Sequence, residues 1–161
     1  MKIITYDNKY KNQVISLILS IQNLESHIDL SLEEQPDLNN INESYISSGG
    51  GFWIAIDESN TVIGTIGLQR RENGCGVMKK FFVAAPFRGG KIGVSMQLFN
   101  CLLDHAIQTN LNIIILDTPS AAKRSHEFYK KMGFMEITAD DLPIQYTYPD
   151  RKSHLFLKTL K

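Results

Sequence analysis

Three features of the chain predict a mixed α/β fold, a mostly antiparallel sheet with one parallel strand pair and flanking helices. Strand-like runs at 52–56, 61–70 and 77–84 follow one another across short turns, the signature of antiparallel hairpins. After Pro86 the period changes, and Ile92, Met96, Phe99, Leu103, Ala106 and Ile107 recur at helical spacing. The apolar run 112–116 then reads as a strand covered on both faces, which makes 77–116 a right-handed parallel crossover.

The remaining elements fall in order around these. Residues 2–6 read as a short strand. Tyr10, Val14, Leu17, Ile18 and Ile21 mark a first amphipathic helix. Leu38, Ile41 and Tyr45 predict a second, stopped by the Ser/Gly run 47–51. A further helix is expected over 120–132, ended by Gly133 in the C′ position, and strands at 134–137 and 155–160 complete the chain. No internal repeat or linker breaks the order.

Composition narrows the class. A chain of 161 residues fits one domain, long enough to bury a core without disulfides or metal. With 43% hydrophobic and 21% charged residues, disordered and coiled-coil chains are excluded. Lys and Arg number 17 and Asp and Glu 17, so the net positive charge used in non-specific binding to nucleic acid or anionic membranes is missing. No apolar run approaches the roughly 18 residues of a membrane span. The start of the chain turns polar at once, without a secretory signal. Cys75 lies in a Gly-rich turn and Cys101 in an apolar helical run, and the expectation is a reduced, cytoplasmic protein. The two cysteines and four histidines show no metal-ligand spacing, and no metal is expected.

Two segments carry chemistry. In the first, 83–95 (Val-Ala-Ala-Pro-Phe-Arg-Gly-Gly-Lys-Ile-Gly-Val-Ser), a strand ends, glycines form a tight loop and a helix begins. The first N–H groups of a helix have no internal partner and lie at the positive end of its dipole. Glycines allow a ligand close to the backbone, so the loop suits a phosphate or pyrophosphate, with Arg88 and Lys91 adding cationic side chains. On its glycines alone, the segment is equally well a turn in which they serve geometry only. The second segment is 125–134, Ser-His-Glu-Phe-Tyr-Lys-Lys-Met-Gly-Phe.

Together the two segments resemble those of the GNAT superfamily of acyl-CoA-dependent N-acyltransferases. Arg88 and Gly93 match the first and last positions of that family's Arg/Gln-x-x-Gly-x-Gly/Ala loop, and Lys91 stands where the middle glycine is usual. Ser125, Phe128, Tyr129, Lys131, Gly133 and Phe134 match its Ala/Ser-x-x-Phe-Tyr-x-Lys-x-Gly-Phe helix end. Ala122 stands where many members carry an asparagine that contacts pantetheine. The order of elements agrees over nearly the whole chain, which implies a single GNAT N-acetyltransferase domain over 1–161.

The resemblance implies an enzyme that passes the acetyl group of acetyl-CoA, its co-substrate, to an amine by direct attack in a ternary complex. Arg88, Gly89, Gly90, Lys91, Ile92, Gly93, Val94 and Ser95 would hold the pyrophosphate. The strands at 77–84 and 112–116 would splay apart and free the backbone of Phe81, Phe82 and Val83 for the pantetheine, with one N–H there polarising the thioester carbonyl. Ser125, His126, Tyr129 and Lys131 join the cofactor-binding set, and Tyr129 would be the general acid that protonates the leaving thiolate. Three residues before Tyr129 on the same helix face, His126 would touch the cofactor, tune Tyr129, or lie at the surface. For the general base, Asp117, Glu25, His27, Asp29 and a water relay stay open. The loop 140–151, rich in acids and aromatics, would suit a cationic acceptor or pack as a surface loop.

A catalytically weak GNAT-like domain that binds acyl-CoA as a sensor is the second reading. Nucleotide hydrolysis is a third, and the chain lacks the Gly-x-x-x-x-Gly-Lys-Ser/Thr spacing it needs. The partners expected are a small-molecule or protein amine, no nucleic acid and no membrane, with a homodimer as a family expectation.

Overall fold

The computed structural model describes residues 1–90, 93–149 and 152–161. Seven strands form one sheet: β1 (Lys2–Thr5), β2 (Gly51–Ile56), β3 (Val62–Arg70), β4 (Cys75–Val83), β5 (Ile113–Thr118), β6 (Met135–Ile137) and β7 (His154–Thr159). Their order across the sheet is β1-β2-β3-β4-β5-β7-β6. The hairpin-length turns yield antiparallel β2–β3 and β3–β4 pairs, as expected. Between β4 and β5 the helix α2 (Val94–Gln108) makes the crossover, and this is the one parallel pair among the described residues.

Burial explains the continuous apolar run in β5. Ile114 and Leu116 face the same core as Leu98, Phe99 and Leu102 of α2. On the other face Ile115 packs with Cys75, Val77 and Ile144. Burial pushes the Cys75 thiol up to about 11, against a smaller opposing pull from Arg71.

The inner stripe of α2 is Val94, Leu98, Phe99, Leu102 and Ala106. This corrects the stripe expected from sequence. Leu98 and Leu102 are fully buried, whereas Met96 is 38% and Ile107 53% exposed. The helix begins directly after Gly93, so its core face is set from Val94 rather than from Ile92, which lies outside the described residues.

The second expected helix is not a continuous α-helix. α1 (Lys11–Leu19) runs on into a π-helical turn, Ser20–Glu25, and Leu38, Ile41 and Tyr45 lie on or beside two further short turns, Pro36–Asn39 and Asn42–Ile46. Asn39, Asn40 and Asn42 interrupt this stretch with side chains that compete for backbone hydrogen bonds. The three apolar side chains still enter the core, beside Phe52 and Ile54.

The last helix, α3 (Lys123–Lys131), ends as the glycine predicted. Gly133 adopts φ +89°. Its N–H donates to the Lys130 carbonyl (3.1 Å), and the Phe134 N–H donates to the Tyr129 carbonyl (3.0 Å). That is the paired bonding of a Schellman cap, and the Tyr129 and Phe134 rings meet at 5.8 Å to complete it. Among the described residues, no helix is long and apolar enough to cross a membrane.

Candidate active site

β4 and β5 share a register over only three pairs, Cys75–Ile113, Gly76–Ile114 and Val77–Ile115. β4 nevertheless continues to Val83 and β5 to Thr118. Beyond Val77 the strands part, and a cleft of about 1500 Å³ opens between 78–83 and 116–118. On that side β4 has no strand partner beyond Val77, the kind of edge a ligand can pair with, although the Val83 carbonyl accepts from Arg88 and the Lys80 carbonyl from Thr65. Phe81, Phe82 and Val83 line this edge of the cleft.

β4 also carries a bulge there. Thr65 pairs with Phe82 and Gly67 with Lys79, so two steps on β3 oppose three on β4. Lys80 takes the strain, at φ +57°. The hydroxyl of Thr65, fully buried, donates to the Lys80 carbonyl at 2.6 Å and fixes the bulge. The Lys80 Nζ donates to Gln35 Oε1 at 2.5 Å and lies 3.8 Å from Asp37 Oδ2, which accepts from the Tyr45 hydroxyl. Gln35 and Gln22, both buried, exchange amide hydrogen bonds of 2.8 and 2.9 Å. Burial, and then the Asp37 charge, hold the Tyr45 phenol well above the ordinary tyrosine value. No motif announced this network, because its members come together only through the fold.

At one end of the cleft lies the Gly-rich loop. Gly89 (φ +66°) and Gly93 (φ +63°) turn the chain, and Gly93 is the N-cap of α2. It has no side chain to satisfy the first N–H groups of the helix, and Gly93, Val94 and Ser95 line the cleft with Gly89 and Gly90. Lys91, like Ile92, lies outside the described residues. The Arg88 side chain is already held: Nε donates to the Val83 carbonyl at 2.7 Å, and the two terminal nitrogens donate to Glu25 at 2.8 and 3.1 Å. Three of its N–H groups are thus spent within the protein rather than left for an anion.

Tyr129 of α3 is 7% exposed and lines the cleft from the opposite wall. Its ring packs against Phe134 and Phe156. Its hydroxyl has no hydrogen-bond partner among the described residues. Burial, and then the negative charge of Asp117, push the phenol well above its ordinary value, so it carries its proton throughout the physiological range. Ser125 and Lys131 line the same wall, as does Ala122.

His126, expected with them in the cofactor-binding set, is not among the residues that line the cleft. It is buried, its Nε2 meets the Pro119 carbonyl at 3.0 Å, and its ring packs on His154 and on Phe156, which Tyr129 also contacts. Of the candidate bases, Asp117 lines the cleft from β5 and accepts a hydrogen bond from the Tyr146 hydroxyl. Glu25 lines it in its pair with Arg88. The cleft wall takes Ser26, Ile28 and Leu30 from the intervening loop, and His27 and Asp29, both at positive φ, fall outside it. Among the described residues, no group of three or more His, Cys, Asp or Glu could hold a metal ion.

Comparison with known proteins agrees with this geometry. The model of the Acetyltransferase (GNAT) family matches residues 18–134. The chain is 28% identical over 117 residues to the probable N-acetyltransferase camello of Xenopus tropicalis, covering 69% of this chain and 52% of that protein. It therefore spans about half the length of that curated relative. A GNAT-family acetyltransferase from Staphylococcus aureus Mu50 superposes with a TM-score of 0.94 at 36% identity, covering 99% of both chains. An acetyltransferase from Streptococcus agalactiae 2603 does so with 0.94 at 37% identity, over 99% of this chain and 98% of that one.

Proposed function

The chain belongs to the GNAT acetyltransferase family, and from that premise we propose that it transfers an acetyl group from acetyl-CoA to an amine by direct attack in a ternary complex. The observation that carries the proposal is the meeting, in one cleft, of a β4 edge with no strand partner beyond Val77, an uncapped helix start and a buried tyrosine hydroxyl that has no hydrogen-bond partner among the described residues. Each is a polar group with an unfilled bond, and an acyl-CoA carries complementary groups along its length: pyrophosphate, two amides and a thioester.

When bound, acetyl-CoA supplies an acyl group activated as a thioester. The N–H groups of the loop and of the first turn of α2 would hold the pyrophosphate, from Gly89 and Gly90 through Gly93, Val94 and Ser95. The β4 edge at Phe81, Phe82 and Val83 would pair with the pantetheine amides. The bulge turns the backbone at Lys80 out of the regular ladder, which suits an N–H just beyond it to polarise the acyl carbonyl. Tyr129 would give its proton to the departing sulfur as the C–S bond breaks, a transfer that rests on the thiolate being transient and desolvated in the cleft. Ser125 and Lys131 sit on the Tyr129 wall, within reach of the same ligand. The amine enters from the side walled by residues 20–44 and by Tyr146 and Tyr148. Asp117, which lines the cleft, would take the amine's proton, directly or through water.

The experiment is turnover of acetyl-CoA with a panel of small-molecule and peptide amines, followed as free thiol. Acetylation of at least one amine, lost on Tyr129→Phe, supports the proposal. Tight acetyl-CoA binding with no turnover on any amine would favour the acyl-CoA sensor instead.

A further inference from the structure

We infer that Glu25 and Arg88 are positioning residues that lock the acceptor wall of the cleft, residues 20–37, to the strand that holds the cofactor. The inference rests on the proposed acetyl-CoA site and adds to it a coupling between the two halves of the cleft.

The two residues lie 63 positions apart in the chain. Glu25 closes the π-helical turn that extends α1, and Arg88 opens the Gly-rich loop. Both oxygens of the one meet both terminal nitrogens of the other, at 2.8 and 3.1 Å, and the Arg88 Nε holds the Val83 carbonyl at 2.7 Å. A planar guanidinium used this way fixes orientation as well as distance. It braces three pieces at once: the end of β4, the cofactor loop and the end of the α1 turn.

A second tie lies at the other end of the same stretch. Gln22, on the same turn as Glu25, bonds Gln35, and Gln35 accepts from Lys80 on the bulge. Residues 20–37 are therefore fastened to β4 on both sides of 81–83, the stretch assigned to the pantetheine. The Arg88 and Glu25 side chains are 31% and 40% exposed, so the pair adds little to global stability, and its effect lies in register. A cofactor that stiffens β4 and the loop would thereby order the acceptor wall before the amine arrives.

The test is amide hydrogen exchange of the full chain with and without saturating CoA, on wild type, Glu25→Gln and Arg88→Lys, with CoA affinity measured by calorimetry. In the wild type, CoA slows exchange in 20–37 as well as in 78–90. In each variant the slowing in 78–90 persists, while that in 20–37 shrinks by up to about 5-fold, the most that a part-exposed pair can transmit. In Glu25→Gln the CoA Kd stays within about 2-fold of wild type. Undiminished CoA protection of 20–37 in either variant overturns the inference. So does a several-fold tighter Kd in Glu25→Gln, which would make Arg88 a phosphate ligand for which Glu25 competes. A wild type that binds no CoA would instead sink the proposed function itself, whereas CoA binding without protection of 20–37 sinks only the coupling.

Discussion

Replacing Tyr129 by phenylalanine should separate catalysis from stability. The substitution removes one oxygen from a side chain that is 7% exposed. That oxygen has no hydrogen-bond partner to lose among the described residues, and the ring keeps its contacts with Phe134 and Phe156. A buried hydroxyl without a bond is a cost of about 1–3 kcal/mol, reduced here because the cleft admits water. The variant should therefore be as stable as the wild type, or more stable by up to about 1 kcal/mol. Activity should move the other way. A positioned general acid contributes roughly 10²- to 10⁴-fold, so kcat should fall by that factor, or about 3–5 kcal/mol of barrier. Thermal unfolding and acetyl-CoA turnover, run on the same preparations, read both numbers. A Tyr129→Phe enzyme with full kcat across the pH range would refute the acid role. One that lost both stability and activity would show that the hydroxyl has a structural bond.

Other expectations follow from the same structure. The Tyr45 and Tyr129 phenols are raised in the folded state. Above the unfolded value of about 10, the unfolded chain releases these protons while the folded chain keeps them, so the stability they contribute is intact below that pH and lost above it. Each tyrosine should add up to about 1.4 kcal/mol per pH unit to the alkaline slope of unfolding, and Tyr129→Phe should remove one such share. Thr65→Val keeps the shape of a fully buried side chain but leaves the Lys80 carbonyl without its 2.6 Å donor; denaturant melts should show a loss of about 1–3 kcal/mol, and Thr65→Ser should retain the bulge. Leu98→Ala, at a fully buried position on α2, should cost about 2–5 kcal/mol by the same measurement. Gly133→Ala must hold φ near +89°, and an unfolding cost of about 1–2 kcal/mol is expected.

What the sequence made legible was local chemistry. The glycines of the loop, the Gly133 cap and the short hairpin turns each act within a few residues, and each appears in the structure where it was expected. The helix stripe on α2 was misplaced because Met96 and Ile107 are as apolar as Leu98 and Leu102, and only the start at Val94 decides which set faces the sheet. The polar side of the cleft was illegible for a different reason. Lys80 reads as an ordinary strand lysine until β3 supplies the register that makes it a bulge. Gln22 and Gln35 read as surface amides until the fold seals them against each other. His126 and Tyr129 share a helix and both pack on Phe156, but spacing alone does not say which of them reaches the cleft.

The central claim is that the parted strands and the glycine loop form an acyl-CoA site, and calorimetric titration of the wild-type chain with acetyl-CoA, using ATP as the comparison, tests it most directly. Saturable binding of acetyl-CoA at one site per chain, with none for ATP, is the predicted result. Binding of ATP alone, or of neither ligand, would contradict it.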